Sequence, residues 1–195
     1  AARNAGIEAS RTGLVALVDS DCEPEPGWLD RIVPFFDDPR VAVVAPRIVA
    51  RDENQSLLAR YERSSSALDM GRRSALVRPG ARLGFVPSAT MVVRRSAVLD
   101  RPFDTGLRLG EDVDLVWRLA DAGEHVRYEP SVTVVHELRG SWRAWAARRF
   151  EYGTSSVMLE SRHPGRLAPL RTSPWNAGAL VLVAVGHPVA GVGVG

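Results

Sequence analysis

Residues 14–21, Leu14-Val15-Ala16-Leu17-Val18-Asp19-Ser20-Asp21, decide how the rest of the chain is read. Five apolar residues in a row are strand length, and such an uninterrupted run is the mark of a strand buried on both faces of a sheet. Two carboxylates one residue apart follow at its carboxyl end, where open α/β sheets gather their ligands. Upstream, Arg3 to Ser10 is alanine-rich, with apolar side chains at Ala5, Ile7 and Ala9, and reads as a helix ending near Thr12-Gly13. Downstream, Pro24 and Pro26 break the chain, and Gly27 to Phe36 has helical spacing through Trp28, Ile32 and Phe35-Phe36. Val41 to Ala45 is a second buried-strand candidate, stopped by Pro46. This alternation predicts an α/β layer with parallel strands.

Leu57 to about Leu76 is helix-permissive, with Ser64-Ser65-Ser66 in its middle. Leu83 to Arg94 predicts a strand and Ser96 to Leu99 a short helix. Glu111 to Ala122 is helical through Leu115, Val116 and Leu119, and Gly123 is a natural stop. Arg127-Tyr128 and Val132 to Val135 predict two short strands around a Glu129-Pro130 turn, with His136 ending the second. Trp142 to Tyr152 predicts an amphipathic basic helix that sets Trp142, Trp145 and Phe150 among Arg143, Arg148 and Arg149.

Composition excludes several classes of function. A chain of 195 residues with 45% hydrophobic and 25% charged residues is ordinary globular material. A net charge of +2 is too small for a nucleic-acid surface, so no nucleic-acid partner is expected. All 25 basic residues are Arg, a bias that reflects GC-rich coding more simply than function. The single cysteine, Cys22, excludes an internal disulfide and a cysteine-based zinc site, and suits a reducing cytoplasm.

Three clusters bear chemistry. Asp19 and Asp21 suit a hard divalent cation, Mg2+ or Mn2+, which takes few carboxylates together with substrate phosphates. The plainer alternative is a polar turn in which Asp21 caps the next helix. Gly110-Glu111-Asp112-Val113-Asp114 places acids at a helix start, where the macrodipole alone favours them. The functional alternative makes Asp112 a general base held within hydrogen-bond reach of an acceptor hydroxyl. His136 completes a carboxylate-rich metal shell only if the fold brings it to Asp21.

The order of these pieces carries more than any one of them. Ala2-Arg3-Asn4-Ala5-Gly6 feeding the Asp19-Ser20-Asp21 strand, the segment Phe85 to Arg95, Phe103-Asp104, Gly110 to Leu119 and Val134-Val135-His136 run in one familiar sequence. Together they resemble the inverting family 2 glycosyltransferases over about residues 1–140. The resemblance implies a GT-A fold, Rossmann-like and of the nucleotide-diphospho-sugar transferase type, lacking its N-terminal strands and followed by a C-terminal helical and apolar segment. It implies that Arg3 and Asn4 lie near the nucleotide, with Asn4 orienting the Asp19–Asp21 loop, and that Asp19 contacts nucleotide or donor sugar. It makes Asp21 the principal metal ligand, His136 a further one, Asp112 the base and Glu111 its substrate-orienting neighbour. The implied partners are a nucleotide-sugar donor, a UDP-sugar, and a hydroxyl-bearing acceptor.

A narrower resemblance, over Gly110 to His136, Trp145 to Ser155 and Arg162 to Leu170, is to the mycofactocin-system branch of that family in actinobacteria. It implies glucose from UDP-glucose as donor and a peptide-derived redox cofactor as acceptor. The Gln-x-x-Arg-Trp signature of processive polysaccharide synthases is missing. Residues 1–140 are expected to form a partial catalytic domain, 141–175 a helix with its connection, and 176–195 an apolar segment. That last segment reads either as a buried helix or as a membrane contact, since Gly186-His187-Pro188 interrupts its apolar runs. The expected location is the cytoplasm, including the cytoplasmic face of the inner membrane. Two other classes compete: a nucleotidyltransferase that makes the sugar nucleotide, and a non-catalytic binding module on the same fold.

Overall fold

The computed structural model describes residues 2–51, 57, 60–61, 66–137 and 142–167, with Ala144 as backbone alone. Residues 58–59 and 62–65 of the helix-permissive Leu57–Leu76 stretch and all of the apolar segment 176–195 lie outside the described residues. Of the rest of Leu57–Leu76, Leu57, Arg60 and Tyr61 are helical, 66–74 are irregular and Ala75 begins a strand. The chain divides into two compact units, Ala1–Pro164 and Gly165–Gly195, and the description below concerns the first.

Its elements run α1 (Ala2–Ala9), β1 (Leu14–Val18), β2 (Cys22–Pro24), α2 (Trp28–Ile32), a 3-10 turn (Val33–Asp37) and β3 (Val41–Ala50). They continue with β4 (Ala75–Val77), β5 (Thr90–Arg94), α3 (Arg95–Leu99), α4 (Glu111–Asp121), β6 (His125–His136) and α5 (Trp142–Arg162). One sheet joins the strands in the order β1-β5-β3-β6-β2, and β4 pairs with the first half of β6. Only β3 and β6 pair in parallel; every other described pairing is antiparallel. The sheet is therefore mixed, not the parallel layer expected, because β5 inserts antiparallel between β1 and β3.

The described burial of β1 also differs from the expectation. Its described ladder runs on one side only, and Ala16 and Val18 face outward while Leu17 is buried. The unbroken burial expected of β1 belongs instead to β3, buried from Val41 through Pro46. Nor does β3 stop at Pro46, since pairing with β6 jumps from Pro46–Glu129 to Arg47–Thr133. Proline, having no N–H, sits at that irregularity. The same jump takes Pro130 to Val132 out of the β3 ladder and lets Arg127-Tyr128 and Val132–Val135 run on as one strand.

Strand β5 is likewise shorter than Leu83–Arg94. Pro87 interrupts its approach, and the chain before Thr90 serves as a backbone platform for the site. On one face of the sheet Ile32, Phe36, Val41, Val44, Val92 and Val132 form a closed apolar cluster. Each such side chain contributes about 1.5–3 kcal/mol when fully buried.

Helix α5 is twice as long as its amphipathic start suggests, and its far end is fastened to α4. Leu159 is buried against Gly110, while His163 Nε2 meets Asp114 Oδ1 at 2.9 Å. Arg118 Nε donates to the other oxygen of Asp114 at 2.7 Å, and Arg162 Nε donates to Asp104 at 2.8 Å. Gly110 is required twice, by its left-handed φ of 84° and because an added Cβ would stand 2.9 Å from Leu159 Cδ1. Gly110→Ala is expected to destabilise the protein by about 2–4 kcal/mol, strain and overpacking together. Thermal unfolding measures it, and an unchanged midpoint would show that α5 does not need this seat.

Candidate active site

The Asp19–Asp21 turn reaches the carboxyl end of β6, although β5 and β3 stand between β1 and β6 in the sheet, because β2 returns from that turn to pair with β6. Cys22 stands opposite His136, and Glu137 N–H donates to the Asp21 carbonyl at 3.0 Å. This register places His136 Nε2 3.4 Å from Asp21 Oδ2, with both side chains largely covered. The two residues therefore meet.

The acidic start of α4 reaches the same region through two connections. Arg3, on α1, donates from Nη2 to both oxygens of Asp19 at 2.7 and 3.0 Å, and from Nη1 to Glu111 Oε1 at 3.1 Å. One guanidinium thus spans the turn after β1 and the first residue of α4. The second connection is backbone. Ala89 C=O accepts from Asp19 N–H at 2.8 Å, and the neighbouring Ser88 N–H donates to Asp112 Oδ2 at 3.1 Å. Asp19 and Asp112 are hung on adjacent residues of one short segment.

Asp112 Oδ1 also accepts from the Val113 N–H at 2.9 Å. Burial of the carboxylate, and next the charge of Glu111, push its pKa up to about 6, against those N–H donors, which favour the charged form. A carboxylate so poised is ionised at neutral pH yet basic enough to take a proton.

Asn4 is not on the Asp19–Asp21 turn. Its amide nitrogen donates to the Phe103 carbonyl at 2.8 Å and its oxygen accepts from the Phe103 N–H at 3.0 Å. It locks α1 to the segment before α4, and the Phe103 ring lies 5.8 Å beneath the Arg3 guanidinium. Asn4 thereby sets where Arg3 stands.

A cleft of about 430 Å³ opens over Asp19, Asp21, Ala89 and His136, and its opposite wall is α5, through Trp145, Arg148, Arg149 and Tyr152. Those four positions were readable as one helix face from their i, i+3, i+4, i+7 spacing, but nothing local says what that face looks at. The His163–Asp114–Arg118 fastening carries no motif and was not anticipated.

A divalent ion fits the donor set as a half-site. Asp21 and His136 offer one carboxylate and one imidazole, and Mg2+ or Mn2+ commonly keeps waters and substrate phosphates in its remaining positions. Among the described residues no group of three or more His, Cys, Asp or Glu could enclose a metal alone. Among the same residues, no helix is long and apolar enough to cross a membrane.

A mixed sheet with carboxylates converging at its strand ends is the architecture of nucleotide-sugar transferases, and the chain belongs to glycosyl transferase family 2, whose model matches residues 1–101. It is 46% identical over 187 residues to the pre-mycofactocin glycosyltransferase of Mycobacterium tuberculosis, covering 95% of this chain and 40% of that protein. It is also 30% identical over 140 residues to the glycosyltransferase AglE of Haloferax volcanii, covering 71% of this chain and 44% of that protein. The chain thus spans less than half the length of these curated relatives. Among solved structures it resembles GalNAc-T7, crystallised with UDP, GalNAc and Mn2+, at a TM-score of 0.51 and 15% identity. That match covers 71% of this chain and 30% of the other, and shows a shared GT-A fold.

Arg3→Ala removes the only cation shown bridging Asp19 and Glu111 among the described residues. The partners are part exposed, so a stability loss of about 1–2 kcal/mol is expected. Arg3→Lys keeps the charge but not the fork, and is expected to recover stability more than sugar-nucleotide turnover. Unfolding midpoints and turnover of the full-length protein, measured on both variants, check this split.

Proposed function

We propose that the protein transfers a sugar from a nucleotide-diphospho-sugar to an acceptor hydroxyl with inversion, Asp112 acting as general base. The observation that carries this reading is the convergence of Asp19, Glu111 and Asp112 through Arg3 and the Ser88–Ala89 backbone, beside the Asp21–His136 pair.

In the reaction the acceptor oxygen forms a bond to the anomeric carbon while that carbon's bond to the diphosphate oxygen breaks. The hydroxyl proton passes to Asp112 Oδ, and the leaving nucleoside diphosphate keeps the electron pair of the broken bond. Asp21 and His136 would hold a divalent cation, which supplies Lewis-acid neutralisation of diphosphate charge. Asp19 faces the donor, its orientation set by Arg3. Glu111 keeps Asp112 basic by like charge and, through Arg3, ties the base to the donor side.

Glucose from UDP-glucose is the proposed donor and a peptide-derived redox cofactor the proposed acceptor. Likeness to the pre-mycofactocin glycosyltransferase supports the acceptor, and the donor rests on the narrower family resemblance alone. Residues 176–195 are proposed as a membrane-associated segment that keeps the protein at the cytoplasmic face.

The full-length protein is expected to release UDP from UDP-glucose only with Mg2+ or Mn2+, and Asp21→Asn is expected to abolish the metal dependence together with the activity. Release of pyrophosphate instead would establish the nucleotidyltransferase reading, and release of neither a binding module.

Asp112→Asn is expected to lower turnover about 10²–10⁴-fold with donor binding retained. Wild-type turnover should fall as pH drops through about 6, because the base is then protonated. The stability sign runs the other way. The raised pKa means the fold disfavours the ionised form, so the cost is absent below pH about 4 and complete above about 6, on the order of 3 kcal/mol. A turnover profile flat from pH 5 to 8 would remove Asp112 from the role of base.

A further inference from the structure

Helix α4 carries Glu111 and Asp112 at its start, and it is held against rolling from two sides. On one side Asp112 accepts the Ser88 N–H at 3.1 Å. Asp114 stands two residues further on, about 200° around the axis at 3.6 residues per turn, and so leaves the helix on the other side. There its Oδ1 meets His163 Nε2 at 2.9 Å and its Oδ2 accepts from Arg118 Nε at 2.7 Å. Asp114 is 3% exposed and His163 8%, so the pair lies inside the protein. The His163 ring also stands edge-on to Trp117, 5.1 Å between centroids, and Trp117 Nε1–H donates to the Gly84 carbonyl at 2.8 Å. Gly84 lies on the irregular stretch that leads to Ser88.

Arg162, the last residue of α5, fastens the chain ahead of α4. Its Nε donates to Asp104 Oδ2 at 2.8 Å. The two residues before Asp104 are held as well, Pro102 C=O by Arg118 Nη2 at 2.8 Å and Phe103 by Asn4 at both its N–H and its C=O. Glu111 and Asp112 thus lie between two carboxylates, Asp104 and Asp114, that adjacent residues at the end of α5 grip. Apolar contact such as Leu159 on Gly110 seats a helix without the desolvation cost of a buried acid–imidazole pair. What the pair adds is direction, because hydrogen bonds fix angles whereas hydrophobic burial is non-directional.

We propose that Arg162 and His163 are positioning residues for the transfer reaction, setting the rotation of α4 and the path of the chain ahead of it so that Asp112 stays buried and aimed at the acceptor hydroxyl. This rests on the reading of Asp112 as general base. UDP release from UDP-glucose with Mn2+ by the full-length protein, followed from pH 5 to 8 in H163A, H163Q and R162Q, tests it. H163A is expected to lower kcat about tenfold or more with donor KM unchanged, the cost of a base displaced by a fraction of its reach. Its acid limb should move from about 6 toward the ordinary carboxylate range, because a loosened α4 admits water to Asp112, whose burial is the main cause of its raised pKa. H163Q offers an amide N–H in place of Nε2 and is expected to recover most of kcat and the limb near its wild-type place. R162Q is expected to lower kcat in the same sense with the unfolding midpoint near the wild-type value, since its ion pair is part exposed. It decides the question if H163A does not fold. Midpoints that fall while kcat and the acid limb stay at wild-type values make the fastening structural only and overturn the proposal. A limb that moves equally in H163A and H163Q assigns it to the imidazole's own proton and also overturns it, and wild-type kcat in R162Q removes Arg162 from the role. A wild-type profile with no acid limb overturns the reading of Asp112 as base and this proposal with it.

Discussion

The site depends on one guanidinium. Arg3 belongs to the first described helix, yet its forked donors hold Asp19, at the end of β1, and Glu111, at the start of α4, about a hundred residues further on. The Ser88–Ala89 backbone brings the Asp19 turn and the start of α4 into one region, but the two like charges repel when nothing lies between them. Arg3 removes that repulsion, and the arrangement around it fixes where it stands. Asn4 clamps the Phe103 backbone from both sides, and the Phe103 ring lies under the guanidinium. Lys could supply the charge, but only a planar fork satisfies both partners along fixed directions.

What the chain showed of this in advance follows a physical line. Local chemistry was legible. The apolar run into Asp19-Ser20-Asp21, the acidic helix start at Gly110–Asp114 and the stop at Gly123 all follow from short-range rules, and α1, α4 and α5 begin within a residue or so of where periodicity puts them. Strand neighbours were not legible. β1 looks buried on both faces by composition, yet among the described residues Ala16 and Val18 are exposed, and burial is decided by what packs on the faces rather than by the strand itself. Pro46 looked like a stop because proline usually is one in a ladder. It is tolerated because the β6 side loops out Pro130 to Val132 at the same place, a compensation three-quarters of a hundred residues or more away and invisible in any window.

The site divides the same way. Residue types and order pointed to Asp21, Asp112 and His136, and β2 is what brings His136 to Asp21, by returning antiparallel onto the end of β6. Asn4 shows the limit of carrying a role across a motif. Its position in the chain suggested the Asp19–Asp21 loop, but its amide is complementary to one peptide unit, and the Phe103 backbone takes both of its hydrogen-bonding atoms. The α5 wall could be read as a face but not as a wall, because only the fastening at Asp114 and Gly110 says which way that face turns.

Burial explains why Asp112 sits where it does and what that position costs. A carboxylate in water is a weak base, and taking it out of water raises its proton affinity while destabilising the folded protein in proportion. The Ser88 and Val113 N–H groups limit that cost without cancelling it, and so leave Asp112 between a stable spectator and an unfolding liability. Ser88 does this with backbone alone, a donor that among substitutions only proline removes. It is also the residue before Ala89, whose carbonyl holds the Asp19 turn. A shift of this short segment would therefore move Asp112 and Asp19 together, keeping their separation while changing where the pair stands relative to Asp21 and His136. The irregular backbone at Gly84–Ala89, which the strand reading of Leu83–Arg94 took for ordinary sheet, is what such a shared mount requires. In a regular ladder Ser88 N–H would be engaged by a neighbouring strand and could not be offered to a side chain.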